Sequence, residues 1–175
     1  MSPEASSLAS QGIEAYQAGR LEESIQLFEA AHASEADPAL AAELANNLSV
    51  AYLKAGRSQQ ALAIVRGTAE IFSKLGDSHR AAQATGNLAA ALDSCGDLAA
   101  AEASYQQAAE LFRQLDEAES LRYTLNALAQ LQLRQNRPLE AANTLQAGTL
   151  ASPPRGLRGR LLKQLLRLPS RLLRP

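Results

Sequence analysis

Apolar residues recur along this chain at three- and four-residue intervals, in blocks of 11–19 residues divided by short polar breaks. The breaks resemble one another: Ala18-Gly19-Arg20, Ala55-Gly56-Arg57-Ser58, Cys95-Gly96-Asp97 and Asn136-Arg137-Pro138, with Asp37-Pro38, Leu75-Gly76-Asp77 and Asp116 between them. This pattern predicts eight helices, over 4–18, 21–34, 38–55, 58–74, 77–94, 98–114, 117–135 and 139–149. Asp37-Pro38 opens one of them because proline suits a helix's first turn. Glycine or asparagine closes others because a helix commonly stops in a left-handed conformation. Turns this short force antiparallel neighbours.

The breakers Gly19, Gly56, Gly96 and Asn136 are spaced by 37, 40 and 40 residues, a period that marks a helical solenoid. Small residues fall where paired helices would cross: Gly12, Ala61, Ala89, Ala101, Ala108, Ala129 and Ala141. Large ones should fill the gaps: Phe28, Leu48, Tyr52, Leu88, Leu92, Tyr105, Leu128 and Leu145. Composition agrees. Of 175 residues, 36 are alanine and 30 leucine, while valine and isoleucine together number six. Such a chain favours helix and excludes a β-sandwich, a barrel or a parallel-sheet nucleotide fold.

These residues resemble the tetratricopeptide repeat over about 5–149. Gln11-Gly12, Gly19-Arg20-Leu21, Phe28 and Ala31 follow that pattern in the first unit, and Leu48, Tyr52, Gly56 and Ala61 in the second. Leu88-Ala89, Gly96-Asp97-Leu98, Ala101, Tyr105 and Ala108 follow it in the third, and Leu128-Ala129, Asn136 and Ala141 in the fourth. Leu8, Ala45, Thr85 and Leu125 replace the large aromatic usual early in the first helix, and Gln132 stands where an aromatic is usual. The 40-residue spacing is similar to the subgroup with lengthened second helices, as are Ala69–Asp77 with Gly86-Asn87-Leu88-Ala89, and Ala109–Asp116. The implied fold is all-α: a right-handed α-solenoid of about four helix hairpins (4–36, 38–75, 77–115 and 117–149) within an array over 1–150, plus a C-terminal amphipathic helix in 151–175.

The resemblance also implies a concave face, lined by first helices, that holds a peptide or an extended partner segment. Its exposed positions would present Ser10, Ile13 and Gln17, then Glu43, Asn46, Asn47 and Lys54. Gln83, Asn87 and Ser94 follow in the third unit, and Tyr123, Asn126, Gln130 and Arg134 in the fourth. Asparagine is a poor mid-helix residue, because its amide competes for backbone hydrogen bonds, but it can pair with an extended backbone. In the matching subgroup, asparagines placed like Asn47 and Asn87 contact bound peptide. The expected role is a non-catalytic adaptor, with a regulatory module or a structural subunit of a larger complex as alternatives.

Charge divides the chain. Residues 1–154 carry 18 acidic and 10 basic groups, a net −8, whereas 155–175 carry seven basic groups and no acid. Wound as a helix, the tail places its eight leucines, among them Leu157, Leu161, Leu165 and Leu168, within a half-circle. Arg160, Lys163, Arg167, Arg171 and Arg174 gather in an 80° arc opposite, Arg158 intrudes on the leucine face, and Pro169 would kink or end the helix near Leu168. Three uses fit: a cap on the last repeat, a lodging in an anionic membrane surface, or a ligand helix for another protein. The lack of interleaved aromatics disfavours nucleic acid.

No phosphate-binding glycine loop, metal spacing or nucleophile elbow is present, so neither a cofactor nor enzymatic activity is expected. Cys95 is expected to act as a small hydrophobe, and His32 and His79 as solvated or capping residues. Without a secretory pattern or a membrane-length apolar run, the expected location is cytoplasmic, peripheral at a membrane if the tail binds lipid.

Overall fold

The computed structural model describes residues 3–151, and these contain helices and turns without a strand. The described helices are α1 (Pro3–Gln17), α2 (Leu21–Ala33), α3 (Pro38–Lys54), α4 (Ser58–Val65), α5 (Thr68–Lys74), α6 (Ser78–Ser94), α7 (Leu98–Gln114), α8 (Ala118–Arg134) and α9 (Pro138–Ala151). They fall into two compact units, divided within α7 between Gln107 and Ala108. The tail residues singled out above, Leu157, Arg160, Leu161, Lys163, Leu165, Arg167, Leu168 and Arg171, lie outside the described residues.

Turn chemistry sets the frame. From Gly56 onward a residue with positive φ closes a helix every 20 residues: Gly56, Gly76, Gly96, Asp116 and Asn136. At each, the amide one residue later donates to a carbonyl five residues back, as Arg57 N–H does to Tyr52 (2.8 Å) and Arg137 N–H to Gln132 (2.9 Å). Asp116 (φ 56°) and Asn136 (φ 59°) fill this role because their short polar side chains tolerate the left-handed region. Gly19 adopts the same turn, but the longer Ser34–Asp37 connection puts it out of the 20-residue step. Asp37 caps α3 by accepting from Ala39 and Leu40 amides at 2.9 and 3.0 Å.

In the first unit, α1 pairs with α2, α3 packs on α2, α4, α5 and α6, and α6 closes on α4 and α5. Phe28, Ile25 and Ala31 of α2 are buried, as are Leu44, Leu48 and Tyr52 of α3 and Phe72 of α5. A Cβ on Gly12 would stand 3.0 Å from the Phe28 ring, so glycine is what lets α1 approach α2 here. Ser24 donates its buried hydroxyl to the Gly12 carbonyl at 2.8 Å, joining the same two helices. The second unit holds the rest of α7 with α8 and α9; α8 and α9 pair, burying Leu121, Leu125, Leu128, Leu131 and Ala141.

Two sequence expectations need correction. The helix expected over 58–74 is two, because Arg66 (φ −59°, ψ 132°) and Gly67 (φ 82°, ψ −12°) form the central pair of a type II turn. Only glycine takes that second position without strain, and no other hairpin has a glycine there. Leu145, expected to fill a gap between helices, is 40% exposed.

Candidate functional site

The first unit contains a cleft of about 270 Å³ between α1 and α3, floored by Phe28 of α2. Ile13, Tyr16 and Gln17 line it from α1, and Asn47 and Val50 from α3. One helical turn along α3, the Lys54 ammonium sits 4.4 Å above the Tyr16 ring, a cation–π contact at the rim. Ile13 is 43% exposed although aliphatic, so the cleft opens to solvent on an apolar wall. Such a mouth suits one aliphatic or aromatic side chain, with the Asn47 amide placed to pair beside it.

Each expected contact residue now has a position. Asn47 is half-buried at the cleft, and Lys54 is exposed at its rim. Gln83 is exposed and Asn87 half-buried on α6, the helix that packs next to α3. Asn46 is the exception. Expected at the exposed face, it is buried, its Oδ1 3.2 Å from the Thr68 hydroxyl, which also lies 2.8 Å from the Val65 carbonyl. The α4–α5 break turns Thr68 toward Asn46, so this amide serves the core, where a polar group must be hydrogen-bonded. In the second unit, Tyr123 is 61% exposed on α8, with the Arg122 guanidinium 4.5 Å from its ring centre. Asn126 is half-buried there, and Gln130 and Arg134 are exposed.

Sequence reasoning missed Tyr16, Phe28 and Val50 as lining residues, although the signal was present. Tyr16 follows Ile13 by three, and Val50 follows Asn47 by three, the spacing of one helix face.

Charged contacts brace the helices around the cleft. Arg80 at the start of α6 reaches Glu43 of α3 at 3.1 Å and Asp77 at 2.6 Å, and its guanidinium lies 5.0 Å from the Phe72 ring centre. Asp77 also accepts the Arg80 backbone amide at 2.9 Å; that bond, then the side-chain bond from Arg80, holds its carboxyl below the usual carboxylate range. On the other side of α3, burial, followed by hydrogen bonding to Glu29, pushes the Tyr52 phenol up to about 12. It therefore remains a donor at neutral pH. Residues 1–107 carry 13 acidic and six basic groups, so the unit around the cleft is acidic.

Among the described residues, no group of three or more His, Cys, Asp or Glu is placed to hold a metal ion. Nor is any described helix long and apolar enough to cross a membrane. Cys95 is half-buried at the C-terminal end of α6.

Comparison with known proteins supplies the context. Residues 40–114 match the tetratricopeptide repeat family model. No curated protein matches the chain. Among solved structures, a Rap conjugation gene regulator of plasmid pLS20, in complex with a peptide, is similar at TM-score 0.69 and 13% identity over 95% of this chain and 53% of its own. Aspartyl phosphate phosphatase F from Bacillus subtilis gives TM-score 0.75 and 13% identity over 97% and 46%. A putative kinesin light chain with repeats of this type from Podosopora anserina gives 0.68 and 16% over the whole of both chains. The chain thus spans about half the length of the first two. At these identities the likeness shows the fold. With the recurring hairpins, it gives the described residues an all-α, helical-solenoid fold, the tetratricopeptide repeat match itself covering residues 40–114.

Proposed function

We propose that this protein is a non-catalytic interaction module whose first unit captures an extended peptide segment of a partner protein. The observation that carries this is the open apolar cleft of Ile13, Tyr16 and Val50 over Phe28, with Asn47 on its wall. An aliphatic peptide side chain enters the cleft, and Asn47 and Asn87, on neighbouring helices, pair with the peptide backbone. Gln83 and Lys54 border the same path, and the acidic surroundings favour a neutral or basic segment over an anionic one. In the second unit, Tyr123, Asn126, Gln130 and Arg134 give α8 a polar face for further contact with a partner. The peptide-bound Rap regulator of the same fold favours a regulatory use of that capture.

Display of a random peptide library against the protein tests this. Recovered peptides should share an apolar anchor, and Ile13→Asp or Asn47→Ala should weaken their binding by about tenfold, the scale of one lost anchor or hydrogen-bond pair. Recovery of no peptide, or of peptides indifferent to both substitutions, would defeat the proposal.

A further inference from the structure

Helix α3 leaves one narrow stripe open. Between Ala42 and Tyr52 its unburied residues are Glu43, Asn47 and Val50, and the exposed Lys54 follows one turn later. At 100° per residue the four fall within about 60° of one another, so a carboxylate, an amide, an apolar wall and an ammonium follow in order along one line. Counted back from the left-handed residue that closes each helix, the same places on α1 hold Ser6, Ser10, Ile13 and Gln17, and on α6 Gln83, Asn87, Ala90 and Ser94. Neither set carries a charge. Of these three helices, the one with opposite charges at the two ends of its stripe is the one that walls the cleft.

Both charges are held in place with capacity to spare. Arg80 reaches Oε2 of Glu43 at 3.1 Å while its Nε bonds Asp77 at 2.6 Å, so one guanidinium serves two carboxylates and Oε1 of Glu43 is left to a further donor. Lys54 rests on the Tyr16 ring at 4.4 Å, and among the described residues no carboxylate pairs with it.

We infer that this stripe selects a bipolar segment: an apolar anchor flanked on one side by a lysine or arginine for Glu43, and on the other by an aspartate or glutamate for Lys54. This rests on peptide capture at the cleft. Glu43 lies seven residues from Val50 and Lys54 four, about 10 and 6 Å along the helix. An extended peptide advances about 3.3 Å per residue, which places its cation about three residues from the anchor and its carboxylate about two residues beyond it. The acidic unit by itself would favour cations on both sides; Lys54 repels the second and attracts a carboxylate in its place.

Fluorescence anisotropy of capped, labelled peptides against the full chain tests this. Each peptide carries one leucine anchor in a glycine–serine background, with charged positions three residues to one side and two to the other. Two are bipolar, one for each chain direction; the others are doubly basic and doubly acidic. The better bipolar peptide should bind about tenfold tighter than the doubly acidic one and about threefold tighter than the doubly basic one, the scale of exposed ion pairs. Lys54→Met, which keeps the stem over Tyr16, should move the preference to the doubly basic peptide. Glu43→Gln should remove most of the bipolar advantage over the doubly acidic one. Indifference to charge, or a preference of the unaltered protein for the doubly basic peptide, with binding still lost when the leucine is replaced by glycine, would overturn the charge selection and leave capture standing. Binding by none of the leucine peptides would overturn both.

Discussion

The first and last hairpins are built on the same turn chemistry yet bury their large residue differently. In α1–α2 the Phe28 ring is sealed, pressed against Gly12 on one side and flanked by α3 on the other. In α8–α9 the corresponding pair is Ala129 and Leu145; alanine is buried, but leucine is 40% exposed. A repeat fixes its own hairpin, whereas the burial of its outer face belongs to whatever stacks next. The same comparison explains where a ligand cleft can exist. Phe28, Tyr16 and Val50 define a cavity because three consecutive helices meet there.

The comparison can be broken most sharply at Phe28. Phe28→Ala should cost about 3–5 kcal/mol in urea unfolding, the usual loss for a sealed aromatic, and should widen the cleft. A cost below about 1 kcal/mol would mean the ring is not the keystone of that hairpin. Next in size is Gly12→Ala, whose Cβ would press on the ring; about 1–3 kcal/mol is expected. Adding Phe28→Leu should recover part of that loss, because the smaller side chain matches the Ala129–Leu145 arrangement; strict additivity of the two changes would show that they do not share a contact. The smallest effect concerns acid. The Asp77 carboxyl is held below its ordinary range, so its contribution is present above the unfolded value and is lost as pH falls through the depressed one. Asp77→Asn should therefore flatten the acid side of the stability profile while leaving behaviour above neutral pH similar in shape; thermal melts from acid to neutral pH read this out.

Much of this was legible in the residues, and the failures are instructive. Gly19, Gly56, Gly96 and Asn136 announced the turns because few residues tolerate positive φ, so local chemistry suffices there. Gly67 carried the same signal but lay inside an unbroken apolar period, and reading that period hid the α4–α5 break. Asn46 and Asn47 are adjacent and chemically identical; one is buried at 9% exposure and the other half-buried at the cleft. Their 100° separation around α3 decides this, and only the position of Thr68 after the break shows which amide the core requires.

By itself the sequence determined helix content, the turn positions and the repeat, since each depends on backbone preferences acting over a few residues. Tertiary structure decided which polar side chain faces a cleft and that Leu145 is left partly open. Those outcomes depend on helices distant in sequence meeting at one place, and burial is a property of the neighbours rather than of the residue.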